Sequence, residues 1–430
     1  MQIKLGVSKF TNKEGKRDPV IIDYTKTING HTAIIGGSGT GKTYRLRKMV
    51  DVLKQSDVKI YILDVHGDID IDGAEYIKIS ESSGNGLNPL KISADKDSGG
   101  VRKRISSFIS MLQRTSTKLG SKQISALSNT MKDLYAANGF YENDPRTWSL
   151  DYDPYRNRKF KKKQPTVLDL KRFTERKLKQ MISGGSAKAI TALENLNKKY
   201  TSLGRYNNKM SEIDEEKIAK LKAECIELYT KYIESIETGG EIDELIKYDS
   251  KDVMKSIYER IANLEASGIF KDNFPVFEKS DKKIFRIDIK SLNVDEQKMF
   301  VDVFLAEVFE QAKERGEVPH PDTFIILDEA HIFLSDDSSH ITNVIAKEAR
   351  KFGIASILSS QSFTHFPEDI IANTSVKIIL GIDEMYHQAS AKKLMIEPKR
   401  FGYIVPHKSA LVQVKNKGDM SNKFVDVFLQ

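Results

Sequence analysis

The chain has 430 residues, of which 39% are hydrophobic and 30% are charged, and this length predicts about two to three structural units. Its single cysteine, Cys225, excludes an internal disulfide framework and a multi-cysteine metal site. No apolar run is long enough to span a membrane, and the first residues lack the apolar core of a signal peptide. We therefore expect a cytoplasmic protein without a membrane anchor.

The net charge of +8 is unevenly distributed along the chain. Residues 101–210 contain 24 lysines and arginines against 8 aspartates and glutamates, so this segment carries +16 and the remainder carries −8. Concentrated positive charge is typical of contact with a polyanion, for which nucleic acid is the first candidate. The alternative is a lysine-rich helical face that is exposed to water, and charge alone does not decide between the two.

The first hundred residues alternate between strand-like and helical patterns. Two β-like runs, at residues 2–9 and 19–23, flank a polar turn and predict an N-terminal β-hairpin within residues 1–30. The next predicted elements are a strand at 31–35, a helix at 43–54 and a strand at 59–63. This order is typical of the opening of a parallel α/β sheet.

The middle of the chain changes to long stretches with helical spacing, interrupted by a basic, turn-rich segment at residues 148–165. We interpret residues 101–270 as a mostly helical, basic insertion. Residues 31–100 and 271–430 would then form the two parts of one α/β domain.

The α/β pattern returns after residue 283. Strands are predicted at residues 284–289, 324–327, 355–359 and 376–380, helices at 296–315 and 341–351, and closing β-segments at 409–415 and 424–429. The alternation of strands and helices continues the α/β domain that begins before the insertion.

A glycine-rich loop lies between the predicted strand at 31–35 and the helix that follows it. It consists of Gly36, Gly37, Ser38, Gly39, Thr40, Gly41, Lys42 and Thr43, which matches the pattern G-x-x-x-x-G-K-[ST]. Glycines let the backbone N–H groups face phosphates, and the helix directs its positive dipole end at the same anion. Lys42 is predicted to reach the β- and γ-phosphates of ATP, and the Thr43 hydroxyl to hold Mg²⁺. The alternative is a glycine-rich turn without a ligand.

An apolar run at residues 324–327 ends in two carboxylates, Asp328 and Glu329. In a phosphate-loop enzyme, Asp328 would coordinate Mg²⁺ through water. Glu329 would polarise the attacking water as a general base. Together with the glycine-rich loop, this pair predicts an ATP-hydrolysing enzyme.

Four further motifs follow one another along the chain. They are Asp64-Val65-His66-Gly67-Asp68, Gly86-Leu87-Asn88-Pro89-Leu90, Glu348-Ala349-Arg350-Lys351-Phe352-Gly353-Ile354 and Ser359-Ser360-Gln361-Ser362. With the glycine-rich loop and the Leu-Asp-Glu-Ala-His strand end, they make the chain resemble the FtsK–HerA superfamily of P-loop motor ATPases. The HerA-like branch is the most similar, and the ATPases of conjugation and type IV secretion are also similar. The resemblance implies a RecA-like P-loop NTPase sheet with a mostly helical insertion, to which the sequence pattern adds the short N-terminal β-hairpin.

The resemblance also implies roles for single residues. Gln361 takes the position of a glutamine that senses the γ-phosphate, and its amide can both donate and accept hydrogen bonds. Arg350 matches the family's arginine finger, which is supplied to the nucleotide of a neighbouring subunit, and Arg400 is a weaker rival. The alternatives are an ordinary strand-end glutamine and a helix-end arginine. His66 and His331 are not predicted to bind metal, and His331 is a candidate for coupling nucleotide state to the substrate channel.

A finger that acts on a neighbouring subunit requires an oligomer, and the resemblance implies a homo-hexameric ring that threads double-stranded DNA. The basic insertion would line the channel or its mouth. The densest group of candidate DNA-contacting residues is Arg156, Arg158, Lys159, Lys161, Lys162 and Lys163. Such side chains contact phosphates without reading sequence, whereas the alternative is a charged loop on the outside of the ring.

We therefore expect a DNA translocase or helicase driven by ATP. Two alternatives use the same catalytic residues: a type IV secretion or conjugation ATPase that moves protein or pilus subunits, and an ATPase scaffold in a defence or packaging complex. A nuclease or another protein is a candidate partner. HerA proteins usually carry an N-terminal β-barrel, whereas about 30 residues precede the loop here, so docking of a nuclease through such a barrel is in doubt.

Overall fold

A computed structural model of the protein divides the chain into two compact units, Met1–Asn88 with Gly268–Gln430, and Pro89–Ser267. The structure describes residues 1–9, 17–97, 99–115, 118–154, 162–183, 187–207, 215–235, 246–275, 283–419 and 421–430. The insertion that we place at residues 101–270 therefore begins earlier, at Pro89. The N-terminal hairpin belongs to the first unit and does not form a separate domain.

The first unit is built around a sheet of eleven described strands. In chain order they are β1 (Gln2–Ser8), β2 (Pro19–Asp23), β3 (Thr32–Ile35), β4 (Lys59–Asp64), β5 (Glu75–Lys78), β6 (Ile284–Asp288), β7 (Thr323–Leu327), β8 (Ile354–Ser360), β9 (Val376–Ile379), β10 (Ser409–Val414) and β11 (Val425–Leu429). Their order across the sheet is β2-β1-β11-β10-β9-β3-β8-β7-β4-β6-β5. The strands from β9 to β5 are parallel, and β10, β11, β1 and β2 extend the sheet in antiparallel fashion.

The predicted α/β fold with a mostly helical insertion is confirmed, and the predicted strands end within one residue of the observed ones. The exception is β5, which the sequence analysis does not predict. This strand has four residues, and within it only Ile77 is buried, so it lacks the repeated apolar positions that identify a strand. The predicted hairpin is also confirmed, because β1 and β2 pair in antiparallel fashion.

The helices of the described residues are α1 (Lys42–Leu53), α2 (Val101–Thr115), α3 (Ser121–Ala137), α4 (Val167–Ser183), α5 (Ala187–Asn207), α6 (Glu215–Glu234), α7 (Lys251–Ala266), α8 (Val294–Arg315), α9 (Ile341–Glu348), α10 (Glu368–Ala372) and α11 (His387–Leu394). Helices α2 to α7 form the second unit. The helix predicted at 341–351 is shorter than expected, since α9 ends at Glu348 and a 3₁₀ turn, Ala349–Phe352, follows.

Helix α1 is fixed against the sheet by one apolar face. Leu46, Met49, Val50 and Leu53 recur at helical spacing and join the same core cluster as strand residues such as Ile34. Because this face is buried, the beginning of α1 and the glycine-rich loop before it are held at the end of β3. The hydrophobic core thereby positions the loop.

The second unit is a group of packed helices. Its buried side chains include Phe108 of α2, Leu127 and Met131 of α3 and Ile257 of α7, which recur at helical spacing. The hydroxyl of Tyr135 donates a 2.7 Å hydrogen bond to the carbonyl of Leu90. Among the helices in the described parts of the chain, none combines the length and apolar character needed to cross a membrane.

His31, which directly precedes β3, is a buried neutral histidine. Its Nδ1 accepts a 3.2 Å hydrogen bond from the backbone N–H of Ser356, and burial lowers its pKa to about 4. An unfolded histidine has a pKa near 6.5, so between these values the unfolded state binds a proton that the folded state does not. We expect this contribution to the free energy of unfolding to be complete above pH 6.5 and to fall by about 3 kcal/mol as the pH drops to 4.

The measurement is urea unfolding between pH 4 and 7 for the wild type and His31→Asn. The wild type should lose more stability than the variant across this interval, because the variant has no titrating group at this position. Parallel pH profiles for the two proteins would contradict the assignment.

Candidate active site

The glycine-rich loop, residues 36–43, is fastened at its beginning to two neighbouring strands. The N–H of Gly36 donates a 3.1 Å hydrogen bond to the carbonyl of Ser360 in β8. The N–H of Gly37 donates a 2.8 Å hydrogen bond to the carbonyl of Gly381, just beyond β9. Strands β8 and β9 flank β3, so the sheet itself sets the direction in which the loop leaves β3.

The end of the loop has the features of an anion site. Gly39 and Gly41 have φ of +73° and +95°, a left-handed conformation that side chains disfavour, so glycine is required for this curl. The Lys42 ammonium lies across the loop and donates to the carbonyls of Gly36 (2.7 Å) and Gly37 (3.2 Å). Helix α1 begins here without an acidic residue in its first turn. A cation and a helix N-terminus therefore meet at this glycine-rich loop, as phosphate binding requires.

A cavity of about 600 Å³ adjoins this loop. Its wall includes Ser38 and Thr40 on one side, Gln361 at the end of β8, and the segment that follows β9. This volume is typical of clefts that hold small-molecule ligands.

The acidic pair lies at the same edge of the sheet as the loop. Strands β7 and β8 are parallel neighbours, with Leu327 opposite Leu358, so Asp328 comes next to Ser359. The Ser359 hydroxyl donates a hydrogen bond to the Asp328 carboxylate. Burial, reinforced by the charge of Glu329, raises the pKa of Asp328 above its usual range. A divalent cation would offset both effects, so the site is suited to one.

Glu329 has a strained backbone conformation and a carboxyl group whose pKa is lowered. Its φ of +44° is uncommon for a residue with a side chain, and strain of this kind is concentrated at functional sites. Its Oε2 lies 3.2 Å from Nδ1 of His331, and Gln361 donates to the same carboxylate. The hydrogen bond from His331, assisted by the charge of Lys42, lowers the pKa of Glu329. The structure thus brings Lys42, Glu329 and Gln361 together.

The first of the four further motifs has a structural role. Asp64 is fully buried at the end of β4 and accepts hydrogen bonds from the N–H groups of Gly67 (2.7 Å) and Ile69 (3.1 Å). Nε of Arg286 donates to it at 2.9 Å. These contacts shape the turn that presents His66, whose Nε2 lies 3.9 Å from Oε1 of Glu329. His66 is therefore a neighbour of the acidic pair.

The two candidate arginine fingers differ in their surroundings. The guanidinium of Arg400 donates to Oδ2 of Asp426 (2.7 Å) and to the carbonyl of Phe424 (3.2 Å), so it is engaged within its own chain. Arg350 is exposed on the 3₁₀ turn after α9. Exposure is what a residue needs if it is to reach a neighbouring subunit, so Arg350 stays the favoured prediction.

The predicted DNA-contacting group is only partly described. Arg156, Arg158, Lys159 and Lys161 lie outside the described residues. Lys163 is exposed, with Nζ 3.3 Å from Oδ2 of Asp169.

Lys162 requires a correction, because it is only 5% exposed and its ammonium donates to three backbone carbonyls. They belong to Thr147 (2.6 Å), Ser149 (2.8 Å) and Tyr152 (2.7 Å). This lysine supports the fold of the insertion and is not available to a DNA phosphate.

Replacing Lys162 by methionine keeps the length of the side chain but leaves these three carbonyls without their donor. We expect Lys162→Met to lower the free energy of unfolding by about 3 kcal/mol, since buried unsatisfied groups are costly. Urea unfolding checks this value, and Lys163→Met is the matched control that should unfold like the wild type. If Lys162→Met were as stable as the wild type and bound DNA more weakly, Lys162 would be a DNA-contacting residue after all.

Two contributors to the site were not predicted from the sequence. Ser359 belongs to one of the quoted motifs, and its position opposite Asp328 follows once β7 and β8 are paired. His407 lies with Nε2 2.7 Å from the carbonyl of Gly39, although 368 residues separate them in sequence. No sequence motif predicts the contact between His407 and Gly39, because these residues come together only in the folded sheet.

A phosphate loop between a strand and a helix, with an acidic pair at the end of a nearby parallel strand, defines a P-loop nucleoside triphosphatase. The sequence profile of the family described as "Helicase HerA, central domain" matches residues 7–308. The chain therefore belongs to this family, within the FtsK–HerA superfamily of P-loop motor ATPases.

Among curated proteins, the chain is 28% identical over 218 residues to the DNA double-strand break repair helicase HerA of Sulfolobus acidocaldarius, covering 47% of this chain and 43% of that protein. It is 32% identical over 130 residues to the probable helicase MJECL08 of Methanocaldococcus jannaschii, covering 27% and 24% respectively. The chain thus matches less than half the length of these relatives.

Two solved structures share the fold at low sequence identity. VirB4 of Thermoanaerobacter pseudethanolicus aligns with a TM-score of 0.61 and 13% identity, covering 100% of this chain and 96% of that one. The plasmid coupling protein TrwB in complex with ADP and Mg²⁺ aligns with a TM-score of 0.51 and 12% identity, covering 98% and 89%. These likenesses confirm the predicted class of α/β sheet.

Proposed function

We propose that this protein hydrolyses ATP with Mg²⁺ and uses the energy to move double-stranded DNA through a homo-hexameric ring. The observation that carries the hydrolytic part is the position of Glu329, which has a strained backbone and lies beside Gln361 and near the Lys42 ammonium. The match of residues 7–308 to the HerA central domain supports a motor, and the basic insertion supports DNA as its substrate.

The residues at the site suit a magnesium–nucleotide complex. The Thr43 hydroxyl at the start of α1 and the buried Asp328 carboxylate would hold Mg²⁺. Within the described residues, no group of three histidine, cysteine or acidic side chains could hold a metal by itself. This fits an ion that takes part of its coordination from phosphates and water. When bound, Mg²⁺ offsets the charge that develops on the transferred phosphoryl group.

Each polar side chain then has a distinct task. Lys42 binds the β- and γ-phosphates, and Glu329 accepts a proton from the attacking water. Gln361 contacts Glu329 and can orient the same water, because an amide donates and accepts at once. Arg350 reaches the nucleotide of the adjacent subunit, where its guanidinium offsets negative charge in the transition state. Because Arg350 acts on the adjacent subunit, each site needs a neighbour, and a closed ring gives every site one.

Duplex DNA is the substrate that the charge distribution favours. The segment 101–210 carries +16, and Lys163 together with Arg156, Arg158, Lys159 and Lys161 supplies a dense basic group. Contacts to phosphates hold DNA of any sequence, as a translocating motor requires. The curated relatives that bear the name HerA are DNA double-strand break repair helicases, which is consistent with this choice.

The proposal is tested by steady-state ATP hydrolysis with and without linear duplex DNA, at low and moderate salt, with Lys42→Ala as the inactive control. We expect DNA to stimulate turnover and salt to weaken the stimulation, because salt competes with lysine and arginine for phosphates. An ATP hydrolysis rate that does not change when DNA is added would contradict the DNA motor and favour the secretion-type ATPase or the scaffold. Unchanged turnover in Lys42→Ala would reject the site itself.

A further inference from the structure

His407 connects the C-terminal part of the sheet with the phosphate loop. Its Nε2 lies 2.7 Å from the carbonyl oxygen of Gly39, and since a carbonyl only accepts, Nε2 carries the hydrogen. The ring also packs beside Gly41, where an added Cβ would come within 3.0 Å of Nδ1. Both contacts fall on the second half of the loop, which the bonds from β8 and β9 do not reach.

The turn that carries His407 is a rigid support. The N–H groups of Lys408 and Ser409 both donate to the carbonyl of Val405, at 3.0 and 2.9 Å. The N–H of Val405 donates in return to Oγ of Ser409, at 2.8 Å. Ser409 opens β10, which is paired on both sides, so the turn is continuous with the interior of the sheet.

The backbone of His407 is itself in an uncommon state. Its φ is +63°, in the left-handed region that few non-glycine residues adopt, although histidine is among those enriched there. This conformation is strained and persists only where the surroundings enforce it. Its effect here is to aim the imidazole at the loop.

The hydrogen bond fixes one peptide group in the loop. A trans peptide is planar, so its carbonyl and its N–H point in opposite directions. With the Gly39 carbonyl directed at His407, the N–H of Thr40 is directed into the loop. Its partner there is the carbonyl of Gly37 at 3.4 Å, a long contact that a phosphate oxygen can readily replace.

We propose that His407 is a positioning residue for nucleotide binding, which holds the peptide between Gly39 and Thr40 in the orientation that offers the Thr40 N–H to a phosphate. The inference rests on the proposed nucleotide site. A glycine-rich loop samples many backbone conformations when free, and a bond that selects the binding conformation in advance lowers the entropic cost of association. His407 therefore acts on affinity for the nucleotide and leaves the chemistry at Glu329 to the residues described above.

Three variants separate the hydrogen bond from the backbone conformation. His407→Ala removes the donor. His407→Asn tolerates positive φ, but its amide nitrogen lies at the level of Nδ1 and is too short to reach Gly39. His407→Gln places an amide nitrogen at the level of Nε2 and can restore the bond. Lys408→Ala, in the same turn, is the matched control.

The measurement is the Kd of Mg–ATP by calorimetry, together with KM and kcat, for each variant. Loss of one hydrogen bond predicts a Kd and KM raised about fivefold in His407→Ala and His407→Asn, with kcat changed less than about twofold. His407→Gln and Lys408→Ala should bind like the wild type. Thermal unfolding without nucleotide identifies any variant that has lost its fold. If His407→Ala is unfolded, the comparison of His407→Asn with His407→Gln still tests the hydrogen bond.

The possible failures are distinguishable. If the wild type does not bind Mg–ATP, the proposed function fails. If the wild type binds and His407→Ala or His407→Asn binds equally well, the positioning role is overturned while the proposed function stands. Equal weakening of nucleotide binding in His407→Asn and His407→Gln would also overturn it, because the effect would then come from ring packing or backbone strain and not from the hydrogen bond.

Discussion

Glu329→Gln is expected to slow ATP hydrolysis by about 10²–10⁴-fold while leaving Mg–ATP affinity within a few-fold of the wild type. Glutamine keeps the shape of the side chain and its contact with Gln361, but an amide cannot accept the proton of the attacking water. His331 lowers the pKa of the wild-type carboxyl group further below its ordinary value, and the substitution removes this proton acceptor without any change in the glycine-rich loop. Single-turnover hydrolysis and equilibrium binding measured on one preparation provide the comparison.

The matched control for this variant is Glu317→Gln. The side chain of Glu317 is exposed and lies outside the cavity beside the glycine-rich loop, so the control removes a carboxylate without touching the candidate site. It should hydrolyse ATP at the wild-type rate. If Glu329→Gln turned over at a comparable rate, Glu329 would not be the base, and His66 or Asp328 would have to be reconsidered.

Arg350→Ala is expected to reduce turnover by about 10³-fold while ATP remains bound, which is the usual effect of removing an arginine finger. The residue is exposed on the turn after α9, where it is free to meet a second copy of the chain. In a ring, an Arg350→Ala subunit keeps an intact Glu329, and a Glu329→Gln subunit keeps an intact Arg350. Mixtures of these two inactive variants should therefore regain turnover that neither has alone, because a neighbour's arginine then completes a site with an intact Glu329.

Lys351→Ala is the control for this experiment, because Lys351 occupies the next position on the same exposed turn. The Lys351→Ala protein alone should keep full activity. If mixtures of Arg350→Ala and Glu329→Gln regained no turnover, Arg350 would act only in its own subunit and the main reason for a ring would be removed.

The strands of this protein were predictable because most of them are buried on both faces. Runs such as residues 324–327 are continuously apolar and are followed by charged residues, so their limits are visible in the sequence. Strand β5 carries one buried residue and gives no such signal. The boundary of the insertion at Pro89 was also missed, since helical spacing begins only at α2, twelve residues later.

Some parts of the candidate site are local sequence motifs, whereas others are contacts between distant residues that only the fold brings together. The loop from Gly36 to Thr43 and the Asp328–Glu329 pair are short consecutive motifs. The residue types in each motif are enough to predict its role. The contact of His407 with Gly39 depends on the order of β9, β10 and β3 in the sheet, which no short motif encodes. Lys162 was wrongly predicted to contact DNA, because a run of lysines in the sequence does not reveal which side chain is buried.

The central claim is that ATP hydrolysis drives movement along duplex DNA, and displacement of a fluorescent third strand from a DNA triplex tests it most directly. The wild type with Mg–ATP should release the third strand at a rate that follows ATP turnover. Glu329→Gln should bind ATP and release nothing. If the wild type hydrolysed ATP on this DNA and left the third strand in place, the protein would not be a DNA translocase.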